Sequence, residues 1–246
     1  MSTQTPSKPF RMGVLLEGVQ ISDIMGIDLI GNLSRKYVSA AQGLNPGIAR
    51  FLESAIDLEI FYLAETLAPT EVTPSFKYLP NVTYDDCPRD LDLVLIGGNG
   101  FESQSEASKK FIREAWPKTR VWMTTCVGTL WLASAVDLTG LKVTTNRVAI
   151  EFGKQLYPGA EWQDKRWVVE DKVYEGQGKG ELWTGGAAGA GLDMVTEWCF
   201  QNFDKDFVNA LSTYPLEFQP GRSFDQNYNY DLKDVGGPWQ PAAPAS

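Results

Sequence analysis

"MTTCVGTLWLAS", residues 123–134, carries a run of strand-forming residues straight into apolar residues at helical spacing, with Cys126 at the junction. A nucleophile on such a strand-to-helix turn stands exposed above a sheet edge and close to the positive end of a helix. That placement predicts a thiol whose pKa is lowered by the helix terminus and nearby backbone N–H groups. The chain contains no histidine, so the usual imidazole base for a cysteine is not available. Taken by itself the junction has a simpler reading, an inert core thiol, because cysteine is among the most buried residue types.

Working outward, short apolar runs alternate with helical patterns. "RMGVLLEG" (11–18) reads as a buried strand and "ISDIMGIDLIGNLSRKYV" (21–38) as a helix. "IDLEIFYLAET" (56–66) reads as a second strand, and "VTPSFKYLPNVTYDD" (72–86) as an edge region interrupted by Pro74 and Pro80. "LDLVLIGGNG" (91–100) is a strand entering a glycine turn, "SEASKKFIREAWPKT" (105–119) a helix stopped by Pro117, and "RVWMTTC" (120–126) the strand that delivers the cysteine. Beyond it come a helix over 127–140 closed by Gly140, a strand over 142–146 and a helix over 147–157. Strands over 166–172 and 181–185 flank the exposed turn "EGQGKG" (175–180), and a last helix covers 186–203. The β-α-β succession predicts an α/β fold, a parallel sheet with helices on both faces. The expected organisation is a disordered leader over 1–10, one domain over 11–213 and an irregular Pro-, Gly- and aromatic-rich tail over 214–246.

In such a sheet the strand ends converge on one edge, where open α/β sheets place ligands. "LIGGNG" (95–100) brings free backbone N–H groups there, and "LLEGVQISD" (15–23) brings Glu17 and Asp23, either of which can share a proton with a thiol.

Four motifs in this order resemble the ThiJ/PfpI superfamily from about Arg11 to Phe203: "GVLLEGVQISDIMGIDLIG", "LDLVLIGGNG", "TTCVGTLWLASAVDLTGLKVTTNR", and "RWVVEDKVY" with "LWTGGAAGAGLDM". The resemblance implies a flavodoxin-like, class I glutamine amidotransferase-like fold with a cysteine nucleophile elbow. Carried over by position, it makes Cys126 the nucleophile, Asp23 the acidic residue against it, and Gly98 and Val127 the suppliers of backbone amides. Two departures stand out. Val127 replaces a frequent threonine, and Asn146 replaces the histidine of the family's "T-T-H" run, so hydrolysis through a Cys/His pair is hard to sustain.

The opening "GVQISDIMGID" (18–28) is most similar to the isonitrile hydratase branch, which implies addition of water to an isonitrile to give an N-substituted formamide. Two other functions are compatible with the same residues: an isomerase, dehydratase or cyclase of small-molecule biosynthesis working through Asp23 alone, and a non-enzymatic redox-sensing thiol. Simpler readings stand beside each residue. Asp23 is also a natural helix cap, Asn146 a turn residue, Glu17 a rim charge, Cys87 an incidental surface or loop thiol, Cys199 a core residue, and Asp193 a stabiliser of a helix start. Trp131, Trp162 and Trp167 lie where they can line an apolar substrate pocket.

A net charge of −9 and a sequence pI near 4.7, with no sizeable basic cluster, exclude nucleic acid and anionic membranes as expected partners. No segment has the apolar length to span a bilayer. Three cysteines without metal-ligand spacing predict neither a zinc site nor a disulfide framework. A cytoplasmic homodimer acting on a small molecule, without metal or cofactor, is the expectation.

Overall fold

A computed structural model describes residues 8–100 and 103–216. Eleven strands are present among them: β1 (Phe10–Leu15), β2 (Leu58–Ala64), β3 (Thr70–Val72), β4 (Phe76–Tyr78), β5 (Val82–Thr83), β6 (Leu93–Ile96), β7 (Val121–Thr125), β8 (Lys142–Val143), β9 (Glu161–Trp162), β10 (Trp167–Lys172) and β11 (Gly180–Gly185). Seven form one sheet in the order β10-β11-β7-β6-β1-β2-β5. Every pairing in it is parallel except β10 with β11. β6 and β7 are buried at every position, as strands covered on both faces must be.

The helices are α1 (Gly26–Gly31), α2 (Arg35–Ala41), α3 (Glu106–Ala115), α4 (Gly128–Ala133), α5 (Ile150–Leu156), α6 (Ala188–Asn202) and α7 (Lys205–Val208). The fold is therefore the flavodoxin-like α/β arrangement that the sequence predicts. Among the described residues no helix is long and apolar enough to cross a membrane. The expected leader and tail fall largely on residues 1–7 and 217–246, outside the described ones, and β1 starts at Phe10, one residue earlier than expected.

Three elements differ from the sequence reading. The helix expected over 21–38 is broken into a 3-10 turn (Ile21–Ile24), α1 and α2, because Ser34 turns its hydroxyl to the Tyr37 N–H and caps a fresh helix. The helix expected over 127–140 ends at Ala133, where Ser134 Oγ donates to the Trp131 carbonyl at 2.7 Å. The strand expected over 142–146 contributes only β8, which pairs with β9 apart from the main sheet and leaves residues 144–146 free to lie along the cysteine.

Candidate active site

β7 ends at Thr125, and α4 begins at Gly128, so the chain turns within Cys126 and Val127. Cys126 adopts φ 58°, a left-handed conformation that a non-glycine residue holds at a cost of about 1–3 kcal/mol. The surroundings hold it there. Its N–H donates to the Gly185 carbonyl (3.0 Å), and its own carbonyl accepts from Thr145 Oγ1 (2.8 Å) and the Asn146 N–H (3.3 Å). The turn also needs Gly128, because a Cβ there would meet the Ile96 carbonyl oxygen at 2.5 Å.

Asp23 reaches the same point from the 3-10 turn after β1. It is 4% exposed and caps no helix; its Oδ2 accepts from the Gly98 N–H at 3.1 Å, while Oδ1 is buried with no hydrogen-bond partner. A Cβ on Gly98 would lie 2.8 Å from Asp23 Oδ2 and 3.1 Å from Cys126 Cβ, so carboxyl and cysteine converge on a bare Cα. The Gly98 amide, which the family resemblance makes one of the site's backbone donors, is thus committed to the Asp23 carboxylate.

Burial pushes the Asp23 carboxyl up to about 6, against the opposing pull of the Gly98 amide and then the neighbouring thiol. Burial, followed by the Asp23 charge, pushes the Cys126 thiol up to about 11; hydrogen bonds from Asn146 and the Val127 amide work the other way. The expectation of a lowered thiol pKa is corrected here. α4 is only six residues long, and the partly buried thiol lies beside a carboxylate, so desolvation and like charge outweigh the helix terminus.

Asn146 donates from Nδ2 to Cys126 Sγ at 3.2 Å, and its Oδ1 accepts from the Val148 N–H at 3.2 Å. The second bond fixes which end of the amide faces the sulfur. Asn146 therefore touches the reactive group rather than only closing a turn.

Cys126, Asp23, Gly98, Val127 and Asn146 come together; the other candidates do not. Glu17 lies at the β1/β2 edge, where Oε1 accepts from the Glu65 N–H (2.8 Å), and it lines a separate cleft of ≈ 650 Å³ with Glu65, Glu71 and Ser103. Burial raises its pKa. Trp131 is wholly buried with Nε1 donating to Ser108 Oγ (3.2 Å), which makes it core and not pocket wall. Trp162 packs on Gly153 and donates to the Tyr157 carbonyl. Trp167 opens β10 and lines a ≈ 570 Å³ cleft with Lys142, Gln163 and Trp183, none of which touches the cysteine. Cys87 is buried at 2% exposure rather than a surface thiol, Cys199 is core, and Asp193 pairs with Arg166. Among the described residues no group of three or more acidic, cysteine or histidine side chains is placed to hold a metal ion.

The threonines around the elbow escaped the sequence reading. Thr124, Thr129, Thr144, Thr145 and Thr184 are buried and hydrogen-bonded to the elbow or to one another. Their one signal was polarity within otherwise apolar segments: Thr124 and Thr184 in β7 and β11, Thr129 in α4, and Thr144 and Thr145 just after β8.

A family model described as "DJ-1/PfpI family" matches residues 47–184. An isonitrile hydratase of Pseudomonas putida is 28% identical over 177 residues, 71% of this chain and 72% of that enzyme. A ThiJ/PfpI family protein from Pseudomonas syringae superposes with a TM-score of 0.65 at 18% identity, over 91% of this chain and 84% of its own. Schizosaccharomyces pombe DJ-1 does so with a TM-score of 0.59 at 14% identity, over 85% of this chain and 100% of its own. At those identities the structural likeness speaks for the fold alone.

Proposed function

Because this chain belongs to the DJ-1/PfpI family, we propose that it is a hydratase-like enzyme in which Cys126 and Asp23 add water to a small apolar molecule, an isonitrile being the substrate class. The observation that carries this reading is the convergence of an ionisable carboxyl and a strained cysteine on Gly98. The similarity to isonitrile hydratase supports the substrate class.

At neutral pH the site holds a carboxylate beside a neutral thiol, since burial sets their pKa values near 6 and 11. The thiol proton passes to Asp23 as the sulfur bonds to the terminal isonitrile carbon. Asp23 then delivers that proton to the same carbon, giving a thioimidate. Water adds to the C=N carbon, nitrogen takes a proton, and the sulfur leaves with its electron pair and is reprotonated, releasing the N-substituted formamide. The net change is one water added and no oxidation. The Val127 amide and Asn146 Nδ2 stabilise the departing thiolate by hydrogen bonds to the charged sulfur.

Formamide appearing when the protein is incubated with an aryl isonitrile tests the activity, and two variants test the route. Cys126→Ser puts a hydroxyl where no strong base is placed to ionise it, so turnover falls by several orders of magnitude. Asp23→Asn keeps shape and removes the titratable proton, with a similar loss. The pKa order favours a second reading, an isomerase or cyclase using Asp23 alone, because the carboxyl titrates near neutrality and the thiol does not. For that enzyme the serine variant stays active while the asparagine variant is dead. We also infer a homodimer, supported by exposed apolar residues around the turn that carries Asp23.

A further inference from the structure

We propose that a buried chain of threonine hydroxyls is the positioning device of this site: Thr124, Thr129 and Thr144, with Thr184 beside them, fix residues 144–146 against the elbow and hold the Asn146 amide on the Cys126 sulfur. The proposal rests on Cys126 being the reacting group, and its test reads the sulfur itself rather than turnover.

Thr129 Oγ1 lies 2.6 Å from Thr124 Oγ1 and 2.7 Å from the Thr144 carbonyl oxygen. A hydroxyl has one proton to give, and a carbonyl only accepts. Thr129 therefore donates to Thr144, and Thr124 donates to Thr129. The direction of the chain is set, running from β7 through the first turn of α4 to the segment after β8. Thr144 is held twice more, its N–H donating to Thr184 Oγ1 (2.9 Å) and its hydroxyl to the Gln163 carbonyl (2.7 Å). Thr144 is thus gripped from helix α4 through Thr129 and from β11 through Thr184, and Thr124, the register partner of Thr184 on β7, backs the Thr129 hydroxyl. All four side chains are at most 1% exposed, which leaves these groups no water to exchange with.

The next two residues transmit the grip. Thr145 Oγ1 and the Asn146 N–H both reach the Cys126 carbonyl, and Asn146 Oδ1 is occupied by the Val148 N–H, leaving Nδ2 on the sulfur at 3.2 Å. Burial and the Asp23 charge both favour the neutral thiol, so a fixed donor is what keeps the thiolate within reach. An apolar core at this point would pack as well with valine; the hydroxyls add register, which side-chain packing alone does not specify.

The experiment is a mutant cycle on the full chain, reading Cys126 alkylation by iodoacetamide from about pH 7 to pH 11 with peptide mapping. Asn146→Ala is expected to lower the rate at about pH 8 by about tenfold, the scale of one hydrogen bond to a charged group. Thr129→Val should reproduce most of that loss, Thr129→Ser should return to within about twofold of the parent, and the Thr129→Val/Asn146→Ala double variant should be no slower than Asn146→Ala. A parent-like rate for Thr129→Val, or losses that multiply in the double variant, would overturn the proposal. Should Thr129→Val fail to fold, Thr184→Val, which removes only the acceptor of the Thr144 N–H, is put through the same cycle. Absence of formamide production would sink the hydratase reading and leave this result standing.

Discussion

Asp23 and Cys126 are both acids raised by burial, yet the consequences differ because their starting points differ. Near neutral pH the carboxyl is mostly ionised and the thiol is not, which assigns Asp23 the part of base. Turnover is therefore expected to fall as pH drops through about 6, and a rate independent of pH between 5 and 8 would remove Asp23 from that part. The same shift predicts a cost to stability. Between its ordinary value of 3.8 and its folded value of about 6, the folded chain keeps a proton that the unfolded chain has lost, so raising pH through that window destabilises the fold. Above it the full penalty, on the order of 3 kcal/mol, is present. Asp23→Asn removes the penalty and should raise unfolding stability in denaturant at pH 8 while changing little at pH 4; equal effects at both would show that the carboxyl is not strained by burial. Cys126 should also be the thiol that iodoacetamide labels in the folded protein, slowly at pH 7 and faster toward pH 10, with Cys87 and Cys199 shielded at 2% and 0% exposure. The location of Cys126 was legible in the sequence, since a strand end followed by a helix names its own turn residue, whereas the choice of Asp23 over Glu17 came from the family resemblance. The thiol's raised pKa was not legible, because partial burial and a carboxylate from 103 residues earlier in the chain leave no local mark.

At the scale of elements, what the sequence declared depended on whether the deciding interaction was local. Strands β6 and β7, buried at every position, were readable from their apolar runs, LVLI in β6 and VWM at the start of β7. The break between α1 and α2 hangs on one serine hydroxyl, and the early end of α4 on another, each too small a signal to outweigh helical spacing. Glycines show the same divide. Gly128 seats α4 against the end of β6, where an added methyl would face the backbone oxygens of Ile96 and Gly97 at 2.5 and 2.9 Å, whereas Gly189 on α6 faces open space. Gly128→Ala should cost about 1–3 kcal/mol and move the elbow, since backbone cannot swing aside. Gly189→Ala should be neutral or stabilise by up to about 1 kcal/mol through helix propensity. Denaturation midpoints of the two variants check the contrast, and equal losses would mean that the tight fit under α4 is not what fixes the turn.

For the whole molecule, the surface near the site is the feature that calls for a partner. Ile21 (38% exposed), Met25 (45%), Phe76 (54%) and Leu79 (69%) surround an apolar cavity of ≈ 340 Å³ between the Asp23 turn and the β3–β4 hairpin. Scattered exposed apolar residues need no explanation, but a contiguous group around a concavity on a chain with a net charge of −9 does. A self-complementary patch satisfies it by two-fold pairing, which buries the same residues from both copies. Like net charges oppose that pairing, so it should strengthen with salt until the repulsion is screened. Light scattering at micromolar concentration is expected to give twice the 27.3 kDa chain mass, and Met25→Glu or Phe76→Glu, which would bury facing carboxylates across the axis, should return it to a single chain. A parent mass of one chain would reject the dimer; a dimer indifferent to both substitutions would place its interface elsewhere and leave the patch beside Asp23 open to the substrate.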